Sequence, residues 1–163
     1  MSSSSCRLSW LAALPVLLSL WPLRALADDE LTFRTISRAV VSSNGDRLEY
    51  LVARTRADWD KAWRHRGPPP GAAAQRHVPA PTLDFGSEMA VGVLGASQLN
   101  GCAAITIVRV VQEPRRIRVD YEPWLAHPPG ECTPEMSTPF HVVAIPASPL
   151  PVAFVETPPT PAQ

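Results

Sequence analysis

Three residues in the last two thirds of the chain could do chemistry together: Cys102, Cys132 and His141. The stretch "WLAHPPGECTPEMSTPFHVVAIP", Trp124 to Pro146, sets Cys132 in a Pro/Gly-rich turn segment and His141 nine residues later, at the mouth of a strand-like run. A thiolate with an imidazole base would be a nucleophilic pair, which needs an accessible, electropositive sulfur and a third group to orient the ring. The same side chains could ligate a metal, or Cys132 could bond to Cys102 as a structural staple. The compartment discriminates among these chemistries.

The first 27 residues, "MSSSSCRLSWLAALPVLLSLWPLRALA", read as a signal peptide: Arg7 in a polar start, an apolar run from Leu8 to Leu23, and small residues at Ala25 and Ala27 before the acidic Asp28. The run is shorter than the ~20 residues a bilayer needs and is interrupted by Pro15 and Pro22, and no later stretch could serve as a membrane span. Cys6 precedes the apolar run and leaves with it. The reading is an exported protein, periplasmic or secreted, whose Cys102 and Cys132 meet an oxidising environment and pair as a disulfide. The chain is expected not to be an enzyme; the alternatives are an envelope hydrolase using Cys132 or His141, or an envelope structural protein, and a count of free thiols on the mature protein separates the cysteine enzyme from the rest.

Charge narrows the partners. Lys+Arg and Asp+Glu are equal at 15 each, a balance without the basic footprint of a nucleic-acid binder. His65, His77, His127 and His141 show no ligand spacing, and the glycines of "GSE" and "LGA" lack phosphate-loop spacing, so no metal and no cofactor are expected. Asp84 and Glu88 could be taken for a paired acid and base, but an Asp before a turn more often caps backbone amides.

The elements that must position these residues are mostly strands. "LTFRTISRAVV" and "RLEYLVA" flank the tight-turn pair Asn44-Gly45 and read as a first hairpin. "TRADWDKAWRHR" reads as a helix over 56–66, with Thr55 as cap, Asp58 three residues on, and Trp59, Ala62 and Trp63 on the face that lies on a sheet. A Pro/Ala/Gly linker spans 67–81. "EMAVGVLG", "CAAITIVRVV", "RIRVDYEP", "FHVVAIP" and "PVAFVE" are short β-branched runs between turns. In "RIRVDYE", Ile117, Val119 and Tyr121 face a core and Arg116, Arg118 and Asp120 face away. The expectation is a single α+β domain over 28–156, a mostly antiparallel β sandwich or small barrel of about seven strands with one packed helix, and a disordered tail at 157–163. Trp124 and Leu125 fall in a loop bounded by Pro123 and Pro128-Pro129. There Trp124 either plugs the open end of a barrel or anchors a partner protein.

This order of features resembles the PrcB C-terminal family, whose members are exported bacterial subunits named after a protease complex. The resemblance covers about Trp59 to Glu156. It rests most on Asp84-Phe85 with Met89 and Gly95, and on Pro139-Phe140-His141-Val142. This chain departs from the family at Cys102 and Ala103-Ala104, where members commonly carry a second glycine and an aromatic residue. The resemblance implies a non-catalytic protein-binding module that stabilises or regulates a secreted or envelope protease, and it brings no catalytic residues.

Overall fold

A computed structural model describes residues 28–41, 47–64, 80–125 and 131–159. The expected signal peptide, the Asn44-Gly45 turn, most of the linker, the end of the tail, and His65, His77 and His127 lie outside them. The elements run β1 (Asp29–Glu30), β2 (Arg34–Val41), β3 (Glu49–Ala53), α1 (Arg56–Arg64), β4 (Glu88–Leu94), β5 (Gln98–Leu99), β6 (Ala103–Glu113), β7 (Arg116–Leu125), β8 (Met136–Pro146) and β9 (Val152–Glu156).

They form two sheets, ordered β1-β6-β7-β9 and β2-β8-β4-β3, with β5 attached to β8. All pairings are antiparallel except β7 with β9. The sheets pack face to face, so the molecule is an α+β sandwich and not a closed barrel. Seven of its strands have five residues or more.

Sequence explains which strands are central. In β4, Met89, Val91 and Val93 face the other sheet while Ala90 and Leu94 face the helix; in β8, Val143 and Ile145 face the other sheet while Val142 and Ala144 face the helix. Burial on both faces requires unbroken apolar runs, which is what "MAVGVL" and "VVAI" are. The expected first hairpin does not form: β2 and β3 occupy opposite edges of their sheet, with β8 and β4 between them. A turn-forming pair sets only a local preference. Pairing two half-polar strands would leave β4 and β8 without cover, so these take the middle. Gly92 lies where they cross closely, for a β-carbon there would come within 2.9 Å of Val142 Cγ2 and 3.2 Å of the His141 carbonyl oxygen.

Helix α1 is capped as its sequence requires. The Asp58 amide donates to Thr55 Oγ1 at 3.1 Å, and the Thr55 hydroxyl donates back to the Asp58 carboxylate at 2.7 Å. Trp59 is fully buried against Leu51, Ala53, Leu83, Ala90 and Leu94, and its indole N–H donates to the Pro81 carbonyl at 2.9 Å. That bond pins the far side of the linker to the helix.

Candidate functional site

Cys102 and Cys132 are joined by a disulfide with Cα atoms 5.3 Å apart. It ties the head of β6 to the segment leading into β8, linking a central strand of each sheet. Hydrogen bonds surround it: the Cys102 amide donates to Asn100 Oδ1, the Gly101 amide to the Thr133 carbonyl, and the Ser137 hydroxyl to the Asn100 carbonyl. The sulfur of Cys132 is thereby engaged and is no thiolate.

His141 is not the first residue of a strand, as the sequence suggested, but sits mid-way along β8 and is 2 % exposed. Its Nδ1 accepts the Ile107 backbone N–H of β6 at 2.8 Å, and its Nε2 lies 3.0 Å from Thr35 Oγ1 of β2. A backbone amide can only donate, so the proton of the neutral ring is on Nε2 and goes to Thr35. Burial, with the nearby Arg38 cation second, holds its pKa down at about 4. Both nitrogens are occupied by chain groups, and the Cys132–His141 pair is not assembled as nucleophile and base.

Asp84 and Glu88 are also separate. Asp84 accepts the Gly86 amide at 3.0 Å and the Ser87 hydroxyl at 2.8 Å, the backbone-capping turn expected, and the Ser87 bond foremost lowers its pKa. Glu88 receives Arg34 on both carboxylate oxygens at 3.1 Å. A shallow cleft of about 240 Å³ between Arg54, Glu88, Met89 and Ala147–Pro149 has both its charged residues engaged, Arg54 donating to the Ser148 and Leu150 carbonyls. Among the described residues no group of three or more His, Cys, Asp or Glu is placed to hold a metal, and no helix is long and apolar enough to cross a membrane.

Trp124 and Leu125 are not in a loop: they are the last two residues of β7, opposite Ala104 and Ala103 of β6. Pro123 does not end the strand because the amides of Ile117, Tyr121 and Pro123 share one edge. That edge meets β9, whose pairing stops at Tyr121. The missing proline N–H therefore costs no ladder bond. Trp124 is 40 % exposed, so it plugs nothing, and its indole N–H donates to Thr106 Oγ1 at 2.9 Å, which fixes the ring on the outer face of the first sheet. On the same face Asp120, expected to face solvent, is 1 % exposed beneath Arg109 and Arg118, which donate to it at 2.9 and 3.0 Å.

Two residues that no sequence signal marks join Trp124 at the disulfide-bonded end. Leu99 of β5 and Met136 of β8 are register partners, 68 % and 44 % exposed. Leu99 stood in "SQLNG", which reads only as a turn, and Met136 in the Pro-rich segment; no periodicity marks either as surface. The fold and this end define a class: a helix-covered β sandwich carrying exposed apolar side chains on disulfide-braced strands. Comparison with family models, with curated proteins and with solved structures returns no match.

Proposed function

We propose that this chain is a non-catalytic, exported protein-binding module that stabilises or regulates a protease of the bacterial envelope. One observation carries the reading: Trp124, Leu99 and Met136 are exposed at the end of the sandwich that the Cys102–Cys132 bond braces. Large apolar side chains held in solvent are the usual anchors of protein interfaces, and tryptophan is the residue most enriched among them. Rigid presentation supports binding, because little conformational freedom remains to be lost on association. The leader-like N-terminus, the disulfide and the resemblance to the PrcB C-terminal family supply the compartment and the type of partner.

The test is capture from an envelope extract by the purified mature protein, compared with Trp124→Thr and with a Leu99→Ser/Met136→Ser double variant. The proposal expects a protease-containing complex with the native protein and its loss with both variants. Equal capture by all three would move the contact surface elsewhere, and a captured set without any protease would remove the protease assignment.

A further inference from the structure

His141 does more than fill the core, because it replaces a missing strand. On the edge of β6 away from β7, β1 covers Val111 and Gln112 and the Leu31 amide that follows it reaches the Val110 carbonyl, and β6 shifts register between Ile107 and Arg109. The Ile107 N–H points off that edge with no strand among the described residues to receive it, and the imidazole of β8 accepts it instead. With Nε2 bonded to Thr35, one ring links β6 of the first sheet to β8 and β2 of the second. This arrangement exists only for the neutral ring. A proton on Nδ1 would set two donors against each other at 2.8 Å.

Among the described residues, the groups around the ring offer an imidazolium nothing in exchange. On β2 the register partner of His141 is Arg38, a like charge, and on β4 it is the apolar Val93. On β6 the contact is Ile107 itself, with Arg109 beyond it committed to Asp120. On β7 the titratable neighbour of Ile107 is Tyr121, whose hydroxyl is engaged with Tyr50 and Glu156. Neither bond of the ring goes to a carboxylate.

We infer that His141 is an acid-sensitive latch between the two sheets: protonation releases the Ile107 amide and opens the seam between β6 and β8 locally. The disulfide at Cys102, five residues before Ile107, keeps the opened strand head tethered, so that it closes again on neutralisation. The inference does not depend on the binding role proposed above.

Native-state hydrogen exchange of the full mature protein tests it. With the ring pKa at about 4 in the closed form and about 6.5 in the open one, the Ile107 amide should open roughly 20-fold more often at pH 5 than at pH 7 after correction for intrinsic exchange. Amides of β7 such as Val119, which exchange through global unfolding, should stay better protected than Ile107 at both pH values, because the latch opening is sub-global. His141→Gln, whose amide can accept from Ile107 and donate to Thr35 without titrating, should abolish the pH dependence. A flat Ile107 profile, Ile107 protection equal to that of Val119 at pH 5, or the same rise in the variant would each overturn the latch. Should His141→Gln not fold, ring NMR of the native protein decides: an Nε2–H tautomer titrating well below pH 6 supports it, and titration near 6.5 with Ile107 unaffected refutes it.

Discussion

Breaking the Cys102–Cys132 bond should cost a large part of this domain's stability. The cysteines are 30 residues apart, and the closed loop holds the whole β6–β7 hairpin. Chain-entropy arithmetic for a loop of that length gives about 3 to 4 kcal/mol, by restricting the unfolded chain. For a domain of this size that corresponds to a fall in melting temperature of roughly 10 to 15 °C. Thermal unfolding followed by circular dichroism, with and without a thiol reductant, measures it for the native protein, Cys102→Ala, Cys132→Ala and the double variant. The two single variants and the double should melt nearly together, and reductant should shift only the native protein. Additive losses in the double variant, or a native melt indifferent to reductant, would refute the reasoning.

Three further outcomes follow from particular contacts. Because the folded pKa of His141 is depressed to about 4, its contribution to stability is fully present above about pH 6.5. It is lost as pH falls towards 4, by about 3 kcal/mol, read as a lower urea midpoint at pH 4.5 than at pH 7 and flattened in His141→Gln. Trp59→Ala should lose about 3 to 5 kcal/mol, since the indole is fully buried between sheet and helix; denaturant unfolding measures it. Asp120→Asn should destabilise by about 1 to 3 kcal/mol in the same assay, by removing the carboxylate that Arg109 and Arg118 share.

The helix and the central strands were legible because their signals are local. The Thr55 and Asp58 cap, the two-tryptophan face and the Asp84 turn each act within a few residues, and the apolar runs of β4 and β8 report burial on both faces. Strand order was not legible. Asn44-Gly45 marks a turn but does not decide which strands lie beside each other, and β2 and β3 are separated by two strands that come later in the chain. The same limit applies to the candidate site. Alternation places Asp120 on the outer face of β7, yet its burial depends on Arg109, which only the register of β6 brings across. Proline spacing suggested a loop at Trp124, whereas the end of β9 at Glu156 is what lets Pro123 remain in a strand. For His141 the sequence marked only the mouth of a strand, because both partners of the ring, the Ile107 amide and the Thr35 hydroxyl, are distant in the chain.

The central claim is that the disulfide-braced end is a partner-binding surface anchored by Trp124, and paired measurements on Trp124→Thr test it most directly. More than a third of the residue is in solvent, so the substitution should cost at most about 1 to 2 kcal/mol of stability. The account predicts a variant that stays folded at the assay temperature and no longer captures the envelope partner that the native protein retains. Undiminished capture by the folded variant would contradict it.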